Sequence, residues 1–276
     1  MTTPEPAVQA VGAMLRTARL RRMMLPEQPA EYLGVPTQTV RDIEDGHRCV
    51  GVAELTALTS LYRCGQDRQP LWGLLIHAAA QARPARDDEP GHARRLDACI
   101  RQARCVRWLS TALLPAPLQT PGYARAVDEH STYGGGAPVP PAACAVYVLD
   151  VRVIRRGSGT PRLMAEQVEH LLRLTERGTD IRIVGEDHPL PQPPGHLVEM
   201  ELPAGRIVAR PGGPGVDYHR GDTLAAHIDA ALDVTDSYSS YGALEQAAAF
   251  HRALVETGPV QLSWQTSTEG TIADVH

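Results

Sequence analysis

Apolar residues in the first quarter of the chain recur at helical spacing. From Val11 onward Met14, Leu15, Ala18 and Leu20 share one face, with Arg16, Arg19, Arg21 and Arg22 outside, while residues 1–10 read as a polar tail. Pro26-Glu27 opens a second helix, because proline fits a first turn and an acid favours the positive end of the helix dipole. It runs through Ala30 and Tyr32 to Leu33 and stops at Gly34. Val35-Pro36-Thr37 opens a third helix, Thr39 to Glu44, which ends at Asp45-Gly46. A fourth, Val52 to Tyr62, turns Leu55, Leu58, Leu61 and Tyr62 inward.

The period then changes. Leu71 to Ala82 predicts a helix, Arg83 to Pro90 a linker, and Arg94 to Leu109 a long helix with Leu96, Ile100, Ala103 and Arg107 along it. Gly134 to Pro141 is a loop, since its glycines and prolines suit neither a helix nor an inner strand. Ala145 to Leu149 reads as a strand, and Arg152 to Ile154 as a second one. Thr160-Pro161 starts a helix with Leu163, Val168, Leu171, Leu172 and Leu174 on its buried stripe, closed by Gly178. Ile181 to Val184 alternates as a strand. His196–Leu202 and Ile207–Ala209 form a hairpin turning at Pro203-Ala204-Gly205, and a last helix spans Ser240 to Glu256. The expected fold is α+β or α/β: an all-helical head over 1–65, a helical connector over 66–95, and a mixed α/β ligand-type domain over 96–276.

Composition narrows the partners. All 27 basic residues are arginine, and the net charge is −5, so only a local basic face can attract nucleic acid. The head itself is balanced, with seven arginines against seven acids over 1–65. No apolar run approaches the roughly 20 residues of a membrane helix, and Met1 to Val11 lacks the order of a signal peptide; a cytoplasmic protein without membrane contact is expected. The five cysteines (Cys49, Cys64, Cys99, Cys105, Cys144) have no metal-ligand spacing and are expected as buried, reduced thiols. No phosphate-binding loop, dinucleotide fingerprint or hydrolase motif occurs, so neither cofactor nor metal is expected.

Two stretches carry a resemblance. Leu25 to Gly46, with Leu33-Gly34-Val35, Thr39-Val40 and Ile43-Glu44-Asp45-Gly46, resembles the helix-turn-helix of XRE-type DNA-binding regulators. The resemblance implies base reading by Thr37, Gln38, Thr39 and Arg41, and phosphate contacts from Arg19, Arg21, Arg22 and Arg48. Pro29 and Asp42 depart from it: the family usually has an apolar core residue at the first position and arginine at the second. Further on, Arg107-Trp108, Leu114 to Thr120 and Tyr123-Ala124-Arg125-Ala126 resemble a motif of the antitoxin-like domain of unknown function that follows such heads in actinobacterial regulators. That resemblance implies a dimeric regulator sensing a small molecule or protein partner, with Trp108, Gln119, Tyr123 and Asp150 as ligand-binding candidates. Taken alone, the same residues read as a packed Trp, a Gln satisfying loop backbone and a Tyr fixing a helix start.

A second function stays open. Asp217, Tyr218 and His219 lie close to Asp222 in a Gly-rich segment, and His130 and Tyr133 lie in a polar stretch at 128–133. A carboxylate beside an imidazole makes a general base, and a phenol or second imidazole supplies the proton. If one enclosed pocket joins the two clusters, the chain is a cofactor-free enzyme of specialised metabolism, catalysing cyclisation, isomerisation or hydration.

Overall fold

The structure, a computed structural model, describes residues 4–79, 84–128, 144–156, 159–188, 190, 195–212 and 214–257. The head contains α1 (Pro6–Arg21), α2 (Glu27–Leu33), α3 (Thr37–Glu44) and α4 (Val52–Leu61), and α5 (Arg68–Ala79) follows. Within the expected polar tail, residues 6–10 are instead the first turns of α1: Pro6 suits the helix start, and Ala7 and Ala10 are fully buried. Small side chains there let the helix lie flat on its neighbours.

The remainder builds one mixed sheet. In chain order come β1 (Ala85–Asp87), α6 (His92–Ile100), β2 (Cys105–Ser110), α7 (Pro121–Asp128), β3 (Cys144–Asp150), α8 (Val151–Arg155), α9 (Pro161–Glu176) and β4 (Asp180–Val184). Then follow β5 (His196–Leu202), β6 (Gly205–Gly212), β7 (Gly215–Arg220), α10 (Gly221–Asp233) and α11 (Ser237–Thr257). The sheet order is β1-β7-β6-β5-β2-β3-β4; β2, β3 and β4 run parallel and the remaining pairs antiparallel. An all-helical region followed by a mixed sheet with helices is the layout read from the periodicity.

Four local expectations are corrected. The stretch expected as a linker supplies β1, which pairs with β7 through Ala85, Arg86 and Asp87. The long helix expected over Arg94–Leu109 ends at Ile100, and Cys105–Ser110 becomes the strand where the parallel and antiparallel halves meet. That strand is buried on both faces, Trp108 to one side and Leu109 to the other, which erases the usual alternation. Arg152–Ile154 is not a strand but part of α8, because the Asp150 carboxylate accepts the Arg152 N–H at 2.8 Å and starts a helix. Finally, two of the five cysteines are not free thiols. The parallel register sets Cys105 opposite Cys144, and their sulfurs are bonded; Cys49 is a thiol but exposed rather than buried, and Cys64 and Cys99 are buried thiols.

Helices cover both faces. α10 presses Ala225, Ile228 and Ala231 onto Leu109, Val148, Leu197 and Val208. The opposite face carries α7, α8, α9 and α11 over β2–β4, and α1, α5 and α6 over β1, β7 and β6. One apolar cluster runs from Ala7 in α1 through Tyr218 in β7 to Ala248 in α11. No helix among the described residues is long and apolar enough to cross a membrane.

Candidate nucleic-acid interface and ligand sites

Gly34 closes α2 in the left-handed conformation (φ 67°), with its own N–H on Glu31 O at 3.1 Å and the Val35 N–H on Ala30 O at 3.0 Å. Pro36 then starts α3. Pro29 lies in the first turn of α2, where its missing N–H costs nothing, and it is buried, so the departure from an aliphatic residue keeps a packing role. The inner face of α3 is Val40, Ile43 and Glu44. Glu44 is 3% exposed and takes Arg19 Nε at 2.8 Å, Arg19 Nη2 at 2.7 Å and the Tyr62 hydroxyl at 3.1 Å. Burial and the Glu44 carboxylate together push the Tyr62 phenol far above its ordinary value. This network ties α3 to α1 and α4.

The outer face of α3 carries Gln38 and Arg41 exposed and Thr37 and Thr39 half-buried. Acids occupy the donors. Gln38 Nε2 donates to Asp42 at 2.7 Å, Arg41 Nη2 to Glu27 at 3.2 Å, and Arg48 Nη2 to Glu54 at 2.8 Å. Arg19, expected outside as a phosphate contact, is corrected: it is 6% exposed and also donates to Met24 O, because α1 is packed on more than one side. Arg21 and Arg22 are exposed.

The ligand-binding candidates turn inward. Trp108 is 6% exposed, stacked on Tyr147 and edge-on to His196, each at 6.4 Å between ring centroids. Gln119 Nε2 donates to Leu114 O at 2.7 Å, and the buried Tyr123 hydroxyl accepts the Leu114 N–H at 3.3 Å. Asp150 is 1% exposed and engaged by the Arg152 backbone and guanidinium. In this conformation all four hold the protein's own backbone and core. Gln167, which is not among those candidates, does the same work: Oε1 accepts the Thr120 N–H at 2.7 Å and Nε2 donates to Leu118 O at 2.8 Å.

The catalytic candidates separate. Asp217 and His219 share one face of β7, but Tyr218 points to the other and is fully buried, as the two-residue period of a strand requires. Asp217 is bonded to Arg86 at 3.2 Å. Burial pushes the His219 imidazole below its ordinary value, only partly offset by Asp217. His130 and Tyr133 lie outside the described residues. A further pair had no sequence signal, since β2 read as helix: Ser110 Oγ and His196 Nδ1 share a hydrogen bond of 2.8 Å. Burial pushes His196 down to about 4, leaving it neutral at pH 7, as a serine-activating base requires. Ser110 is fully buried, however, so this conformation offers its hydroxyl to no substrate.

One cavity of about 310 Å³ opens between the C-terminal half of α1, the α4–α5 connection and α6. Among the described residues no cluster of three or more His, Cys, Asp or Glu could hold a metal ion.

Residues 137–253 match the family described as Domain of unknown function (DUF5753). The DUF5753 match takes in Asp150 and the Asp217–His219 segment, and it leaves the head, β1, β2 and the cavity outside. No curated protein and no solved structure matches the chain. DUF5753 is an uncharacterised domain, so the match itself brings no activity.

Proposed function

We propose that the chain is a helix-turn-helix regulator that binds DNA through α3 and responds to a small molecule or protein partner through the body that includes the DUF5753 region. The observation that carries this reading is the division of α3 into two faces. Val40, Ile43 and Glu44 are locked inward, while Gln38 and Arg41 are exposed and Thr37 and Thr39 are half-buried between the two sides. A helix held this rigidly with short polar and amide side chains outward suits a major groove. As a homodimer, it would present two such helices to half-sites about 34 Å apart.

Intramolecular acids set the affinity in this reading. Asp42 and Glu27 hold the groove-facing Gln38 and Arg41, and DNA must compete for them. The test is fluorescence anisotropy of the full chain on duplexes from its own upstream region, across a salt series. The expected result is weak binding that tightens in the Glu27→Gln/Asp42→Asn double variant. The log–log salt slope should steepen by about 0.9 for each additional phosphate that the variant neutralises. No binding by either protein at low salt overturns the reading. The acid–base alternative has less support, because the phenol of Tyr218 faces away from Asp217 and His219.

A further inference from the structure

The α1/α6 cavity has a composition that the core of this protein does not require. Its floor is apolar, from Leu15 and Leu71. Its walls carry five guanidiniums, those of Arg21, Arg22, Arg63, Arg94 and Arg95, around a single lining carboxylate, Asp67. Arg94 Nη2 and Arg95 Nη1 both donate to the same Asp67 oxygen, at 2.7 and 3.2 Å. Arg95 is further held by Asp87 at 2.6 and 2.7 Å, so it is a fixed, buried cation. Among the described residues the guanidiniums of Arg21, Arg22 and Arg63 make no hydrogen bond and no close ion pair, although Asp97 feels the charge of Arg21. They come from two helix ends. Arg63 itself takes a left-handed backbone (φ 56°), as does Met23 next to Arg22 (φ 53°), a conformation unfavourable for a non-glycine residue.

Guanidiniums gathered around one concavity, Arg95 buried and the other four exposed, repel each other unless an anion joins them. Several at once match the oxygens of a tetrahedral dianion better than a planar carboxylate. The volume is at the lower end of small-molecule sites, and the apolar floor leaves room for a compact organic body. We infer that this cavity binds a small phosphate monoester, with Arg22 and Arg63 closing on the phosphate and Leu15 and Leu71 beneath the organic part. DNA backbone phosphate is the competing occupant, and the recessed floor favours the small molecule. Binding here does not depend on the DNA reading; only its use as a regulatory signal does.

The test is calorimetric titration of the full chain with phenyl phosphate and with inorganic phosphate at low ionic strength. The inference expects one site per chain, with phenyl phosphate at least fivefold tighter than inorganic phosphate. Arg22→Ala/Arg63→Ala should weaken both at least tenfold. Arg162→Ala, which removes an exposed arginine of α9 that is not part of the cavity lining, should change neither. No binding of phenyl phosphate, or binding indifferent to Arg22→Ala/Arg63→Ala, overturns it. So does a double variant that weakens duplex DNA in the anisotropy assay but leaves phenyl phosphate unaffected, because these arginines would then serve the DNA backbone. An unmodified chain that takes phenyl phosphate but no duplex DNA would sink the regulator reading alone.

Discussion

At the scale of single residues, the head depends on a charge that it buries. Arg19 and Glu44 are 6% and 3% exposed and satisfied almost entirely by each other, Tyr62 and the Met24 carbonyl. Removing one partner strands the other, which costs about 3–5 kcal/mol, whereas replacing both with apolar residues of similar volume costs far less. Glu44→Gln is therefore expected to lower the denaturation midpoint sharply, and Arg19→Met/Glu44→Leu to recover most of the loss in the same urea titration. Asp97 makes an opposite case. Burial raises its carboxyl to about 6, with Arg101 and Arg21 pulling the other way. The folded protein thus holds this proton more tightly than the unfolded chain. The contribution to stability is complete below about pH 4 and is lost as pH rises through 6. Asp97→Asn is expected to stabilise the protein by about 1 kcal/mol at pH 7.5, allowing for partial exposure, and to change nothing at pH 4. Equal effects at the two pH values would show that the carboxyl titrates normally.

At the scale of elements, close approach decides what the head tolerates. α1 crosses α3 so near Gly12 that a Cβ there would overlap the Ile43 carbonyl oxygen, which is backbone and cannot rotate away. Gly12→Ala is expected to cost about 1–3 kcal/mol, read as a lowered midpoint in thermal denaturation by circular dichroism, although alanine is the better helix former. The same contrast between local and tertiary causes explains what the sequence made legible. α4, α9 and α11 are legible because each has one wet face, and the β5–β6 hairpin, covered on both faces, is legible from its turn at Pro203-Ala204-Gly205. β2 is not: both faces are covered, and Arg107 fell on a helical spacing while in fact pairing with Glu199 and Asp229. α10 is hard to read because the glycines before it suggest an extended loop, though Leu224, Ala225, Ile228 and Ala231 have helical spacing. The outer face of α3 could be read from local period alone. The arginine cavity could not, since its walls come from the end of α1, residues 63–67 and residues 94–95, which nothing in the sequence marks as neighbours.

At the scale of the molecule, the head is stitched to the sheet rather than hung from it. Thr17 donates to Ala98 O at 2.8 Å, Arg220 pairs with Glu5, and α1 packs on β6 and β7. Separating the two parts would expose Ala7, Ala10 and Val11 on one side and Val216 and Tyr218 on the other, all within a single cluster. Such a shared core has no intermediate cheaper than the fully unfolded chain, so calorimetry is expected to show one transition with equal calorimetric and van't Hoff enthalpies. Two transitions, one belonging to the head, would show that the seam is weaker than its packing suggests. The cavity lies on that seam, between α1 and α6, so an occupant there is linked to the whole fold and not to one half. Phenyl phosphate at 100 times its dissociation constant should then raise the stability of the one transition by about 2.7 kcal/mol. At the same concentration that rise should fall to about 1.4 kcal/mol or less in Arg22→Ala/Arg63→Ala. A ligand that shifted only an early, partial transition would instead place its grip on the head alone, and the sheet would take no part in sensing it.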